Sequence, residues 1–80
     1  MNETESVGAD RELGGDERRV LALAATGLMT DEVAARLGMS PNDARRHLAR
    51  AIDALGAGSK LHAVVIAFRR GLIDLPNDGR

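Results

Sequence analysis

Eighty residues allow one domain and one core, and the formal net charge of −1 gives no overall basic footprint for nucleic acid. The lack of cysteine excludes disulfides and thiolate metal sites, and the only histidines, His47 and His62, are too far apart in sequence for a helical metal pair. No run approaches the ~20 apolar residues of a membrane span, no secretion signal opens the chain, and Phe68 as sole aromatic excludes a base-stacking platform for single strands, so a cytoplasmic protein is expected.

Met1 to Leu13 is polar, carries Glu3, Glu5, Asp10 and Glu12 against Arg11, and shows no sustained apolar period. Residues 1–13 are therefore expected to be a flexible, disordered acidic tail, residues 14–75 the domain, and residues 76–80 a short C-terminal tail. The charge of the tail hides a mildly basic body, in which Lys60, Arg69 and Arg70 cluster near the end.

Four helices are predicted. The first runs from about Asp16 to Thr26, with Asp16 and Glu17 at its positive end, Val20, Leu21, Leu23 and Ala24 as its apolar stripe, and Gly27 as its stop. The second, about Asp31 to Leu37, is entered through Thr30 as N-cap, turns Val33, Ala34 and Leu37 inward, and ends at Gly38. The third opens on Ser40-Pro41-Asn42-Asp43, a capping serine, a proline at the first helical position and an aspartate in the usual glutamate place of a capping box. Ala44, His47, Leu48, Ala51, Ile52 and Leu55 form its inner side, and Gly56-Ala57-Gly58 ends it. The fourth runs from about Lys60 to Arg70, capped by Ser59 and stopped by Gly71. With no alternating β-branched run, the fold class is all-α.

The second and third helices form a helix-turn-helix. Ala34 is small where two helices would cross, Gly38 accepts the positive φ of the reversal, and Met39, Ala44 and His47 return at spacings that face the second helix. The outward face of the third helix then carries Asn42, Arg45, Arg46 and Arg50. Arginine reads guanine bidentately and contacts phosphate, and asparagine suits adenine, so these four are the candidate DNA-binding residues. The bland alternative is a solvated surface helix.

From Leu13 to Ile73 the chain resembles the LuxR-type (GerE-type) helix-turn-helix domain of bacterial transcription regulators. The resemblance rests on Glu17-Arg18-Arg19-Val20-Leu21, Gly27-Leu28, Glu32 through Ser40, Ala44-Arg45-Arg46-His47-Leu48, and Ala63-Val64 through Arg70-Gly71-Leu72-Ile73. It implies a four-helix domain that binds double-stranded DNA as a dimer and recognises it with the third helix. Regulators of this family often carry a receiver or ligand-sensing domain ahead of it. None lies within these residues, which leaves a stand-alone member or a piece of a longer chain.

Three departures stand out from the family pattern. Asp43-Ala44-Arg45 replaces Ser/Thr-Val-Lys, Asp31 replaces a lysine near the start of the second helix, and Ala54 replaces one near the end of the third. The resemblance marks these as phosphate-facing places, so weakened or partner-dependent DNA binding is expected. Each lost phosphate contact also flattens the log–log salt dependence by roughly 0.9. His47 occupies the family's histidine place and is read first as a packing residue, as Met29 and Met39 are read as core or turn fillers.

The fourth helix has two apolar sides. Ala63, Val64 and Ala67 face the core, whereas Leu61, Val65 and Phe68 form a second stripe at i, i+4 and i+7. A symmetric homodimer through that stripe accounts for it, unless the N-terminal tail or Leu72-Ile73 covers it.

Two function classes remain. One is a transcription regulator that reads duplex DNA through Asn42, Arg45, Arg46 and Arg50. The other is a degenerate helix-turn-helix that serves as a protein–protein interaction module with weak or no DNA binding. An enzyme is not expected, because no nucleophile with a base, no paired carboxylates in a pocket and no phosphate-cradling glycine loop is present. No cofactor is implied.

Overall fold

A computed structural model describes residues 13–74 of the chain. They form four helices in chain order, α1 (Gly15–Ala24), α2 (Thr30–Leu37), α3 (Pro41–Ala54) and α4 (Lys60–Arg69), with no strand among the described residues. The expected tails at residues 1–12 and 76–80 lie outside them. Leu13, assigned to the tail from sequence, is instead 2% exposed and belongs to the core.

The core is built from small and aliphatic side chains. Leu13 and Leu21 meet Ala51 of α3 and Leu55 just past it, Ala63, Val64 and Ala67 of α4, and Leu72 and Ile73 beyond that helix. Alanines at the contacts let the axes approach closely, which a core without aromatic rings needs if it is to leave no voids. α3 packs against both α1 and α2, while α4 packs across α1 and α3. The α2–α3 pair is thus clamped from behind by α1, with α4 bracing the far half of α3.

The ends of the helices depart slightly from the sequence expectation, for local reasons. α1 gives way to a turn after Ala24, where the Thr26 hydroxyl donates to the Leu23 carbonyl at 2.7 Å. The N-cap of α2 is Met29 and not Thr30, which occupies the first helical position. The Glu32 carboxylate reaches back three residues to accept the Met29 N–H at 2.8 Å, and this bond sets the boundary. Met29 itself is 69% exposed, so it fills the turn and not the core.

Ser40 caps α3 as expected, its hydroxyl accepting the Asp43 N–H at 3.0 Å. The reciprocal half of the box is not made. Aspartate is one methylene shorter than glutamate, and the Asp43 carboxylate turns instead to Arg46. Ser59 caps α4 by accepting the His62 N–H at 3.1 Å, while the His62 ring Nδ1 accepts the Gly58 N–H at 3.1 Å.

The reversal between α2 and α3 occurs at Gly38, with φ 70°. The Met39 N–H donates back to Ala34 and the Gly38 N–H to Ala35, the paired bonds of a Schellman stop. A side chain at that φ would be strained, so glycine fixes the angle at which α3 leaves α2. At the end of α4 the Leu72 N–H donates to the Ala67 carbonyl at 2.8 Å, which turns Leu72 and Ile73 back into the core.

Candidate nucleic-acid interface

Where α2 crosses α3, Ala34 and Ala44 are both buried, so methyl-sized contacts set the separation of the two helices. Ala44, Ala51 and, just past the helix, Leu55 then fix the rotation of α3 about its axis. That rotation leaves Asn42, Arg45, Arg46, Ala49, Arg50 and Asp53 exposed on the opposite side. All four residues singled out from sequence therefore share one face.

Ala49 completes the face and was missed from sequence, because an alanine in a helix carries no binding signal by itself. Its signal is positional. It lies three residues beyond Arg46 and next to Arg50, and a small exposed residue there lets the helix approach another surface closely. A methyl group of this kind also suits the methyl of thymine.

The two carboxylates that depart from the family pattern both meet arginines of this face. Arg46 Nη2 lies 2.9 Å from Asp43 Oδ1, and Arg45 Nη1 lies 3.9 Å from Asp31 Oδ1. Both pairs are solvent-exposed, and pairs of that kind contribute about 0–1 kcal/mol. They redistribute charge on the face more than they hold the fold together.

Beneath the exposed arginines lies a polar contact that links α1 to α3. His47 Nδ1 stands 2.8 Å from Glu17 Oε2, and His47 Nε2 stands 3.7 Å from Asp16 Oδ2. Asp16 is in turn bound by Arg19. Glu17 is only 8% exposed and is the one buried charged residue of the described core. Burial pushes its carboxyl up. The hydrogen bond from His47, the Glu17 backbone amide and the charges of His47 and Arg50 outweigh that push and hold the carboxyl below its ordinary value. His47 is thus a satisfied, half-buried side chain that orients α3, in keeping with its reading as a packing residue.

Gly14 shapes the same contact. A Cβ at this position would stand 2.5 Å from Glu17 Oε1, so the absence of a side chain makes room for the carboxylate over the N-terminus of α1. Sequence marked Gly14 only as a residue before a helix.

On α4, Ala63, Val64 and Ala67 are buried as expected. Leu61, Val65 and Phe68 remain 72%, 42% and 47% exposed. Leu72 and Ile73 do not cover them, because both are spent in the core.

Four helices, with a short helix, a tight glycine turn and a longer capped helix that shows a cationic outer face, define a helix-turn-helix domain. The chain belongs to the LuxR family: the family model GerE, "Bacterial regulatory proteins, luxR family", matches residues 12–67. Among solved structures it is similar to one titled "Structure of Transcription factor, GerE", with a TM-score of 0.76 and 26% identity. The match covers 80% of this chain and 96% of that one. No protein of curated function matches the chain.

Proposed function

We propose that the protein is a DNA-binding transcription regulator that reads duplex DNA by laying α3 in the major groove. One observation carries the reading: Asn42, Arg45, Arg46 and Arg50 share the outward face of a helix whose other side is locked into the core. A helix of about 12 Å diameter with its side chains matches the width of the major groove, and its first turns supply the base contacts. Membership of a family of bacterial regulatory proteins supports the same assignment, and with it a cytoplasmic location beside the nucleoid.

The exposed apolar stripe of Leu61, Val65 and Phe68 supports a homodimer through α4. A two-fold pair would present two recognition helices to two half-sites. No helix among the described residues is long and apolar enough to cross a membrane.

The ion pairs Asp31–Arg45 and Asp43–Arg46 favour a second reading, a helix-turn-helix turned to a protein partner. Carboxylates on this face repel phosphate and reduce the counterion-release contribution. Titration of the protein with mixed bacterial genomic DNA fragments, at low and at moderate salt, decides between the two. Salt-dependent binding is expected. Absence of binding at low salt would leave the protein-partner reading.

A further inference from the structure

We propose that Asp43 is a positioning residue for Arg46, and that the pair reads a guanine in each half-site of the DNA; this rests on the DNA-reading function proposed above. Asp43 occupies the third position of α3, and its N–H is tied to the Ser40 hydroxyl at 3.0 Å, which fixes its backbone. Its carboxylate leaves the cap and takes Arg46 Nη2, one turn further on, at 2.9 Å.

That is a close ion pair, whereas the 3.9 Å between Arg45 and Asp31 makes a loose one. The two pairs therefore act differently. Arg45 keeps a mobile, loosely compensated charge. Arg46 has one end of its guanidinium drawn against a carboxylate oxygen, and the remaining donors of the planar fork are half-exposed on the outer face.

The consequence is a change in what Arg46 prefers. A free arginine is drawn to phosphate by its net charge, which confers no sequence preference. With Asp43 attached, the pair is formally neutral and its attraction to phosphate falls. Hydrogen bonds to the N7 and O6 acceptors of guanine need correctly placed donors more than net charge. Holding the fork in one orientation beforehand also reduces the rotamer entropy lost on binding. The aspartate thus lowers affinity for DNA in general and raises discrimination at one base pair.

The test is selection from a random-sequence duplex pool with the wild type, Asp43→Ala, Asp43→Asn and Arg46→Lys. The wild type should recover a motif with a fixed guanine at a position that depends on Arg46. Asp43→Ala should lose about tenfold of the preference for that guanine. Its average affinity for the unselected pool should rise, with a steeper salt dependence. Asp43→Asn, which still offers an acceptor oxygen, should keep most of the preference. Arg46→Lys should lose it while keeping pool affinity, since an ammonium has no fork.

Retention of the guanine by Asp43→Ala would overturn the proposal, and so would a wild-type motif with no Arg46-dependent guanine. A wild type that selects no motif and binds no duplex would overturn the DNA-reading function itself, a different and recognisable result. Circular dichroism checks the fold of each variant, and should Asp43→Ala not fold, Asp43→Thr, which keeps the backbone N–H that Ser40 caps and has no carboxylate, carries the same decision.

Discussion

Glu17 and His47, thirty residues apart in sequence, meet at 2.8 Å directly behind the exposed arginines of α3. The contact crosses from the first turn of α1 to the middle of α3, so it fixes the tilt of the helix that carries the candidate DNA face. Removing one partner leaves the other half-buried without its hydrogen bond, which costs about 1–3 kcal/mol. Glu17→Ala should destabilise the fold by roughly that amount in urea unfolding, whereas Glu17→Gln keeps an acceptor oxygen, loses only the charge and costs less. Because folding lowers the carboxyl's pKa, the stabilisation is complete above the ordinary glutamate value of about 4.3 and is lost as pH falls through the folded-state value. The acid-side loss of stability should therefore be shallower in Glu17→Gln than in the wild type. Parallel curves for the two proteins would show that Glu17 is not the titrating group.

Gly14→Ala tests the same contact from the other side. The new methyl would meet Glu17 Oε1 at 2.5 Å, so the carboxylate must shift, and its other oxygen is the one that His47 holds. We expect a loss of about 1–2 kcal/mol, with little further loss when Gly14→Ala is added to Glu17→Ala, which already lacks the contact. Additive losses in the double variant would mean that Gly14 matters for another reason.

The fold was legible in the sequence because its punctuation is local. Ser40-Pro41, Ser59, Gly38 and Gly71 each act through neighbouring residues, and each stands where the spacing predicts. Leu13 was misplaced because a single leucine after a polar run has no period, and only the folded chain brings it to Leu72 and Ile73. The cap of α2 was misplaced by one residue because threonine is the better intrinsic cap, while the glutamate three residues after Met29 decided the outcome. On the candidate face the residue types were legible and their partners were not. Asp43 reads as a cap in sequence, and its ion pair with Arg46 depends on a rotamer that spacing permits but does not select.

Arg45→Ala should weaken specific DNA binding more than Arg18→Ala does. Arg45 lies in the first turns of α3 on the candidate face, whereas Arg18 is exposed on α1. A specific base contact contributes about 1–3 kcal/mol. Loss of the long Asp31 pair costs at most about 1 kcal/mol of stability, so a folded variant is expected. Anisotropy titration of both variants on one selected duplex measures the difference, and equal losses would remove α3 as the reading helix.

Val65→Glu or Phe68→Glu should yield a folded monomer. Both side chains are 42% or more exposed in the single chain, so a charge there is solvated in the monomer. In a two-fold contact the same charge would be buried twice, at a cost of several kcal/mol per ion. Sedimentation equilibrium should find the wild type at twice the mass of either variant. A wild type already monomeric at high concentration would remove α4 as a dimer surface.

The last prediction concerns Asp31 and Asp43 together. Each stands where the family resemblance places a phosphate-facing residue, and each meets an arginine of the candidate face. Asp31→Lys with Asp43→Thr removes two negative charges, adds one positive charge and releases Arg45 and Arg46 from their partners. Affinity for duplex DNA of any sequence should rise, and the log–log salt slope should steepen by roughly 0.9 for each phosphate contact regained. Stability should change little, because the Ser40 hydroxyl still caps α3 by accepting the backbone N–H of position 43, which the substitution leaves in place. Circular dichroism accompanies the titration to establish that the variant is folded. If it is folded and still binds no duplex at low salt, electrostatic repulsion was never the obstacle. The arginines of α3 would then be the solvated rim of a surface made for a protein, and the helix-turn-helix would serve as an interaction module.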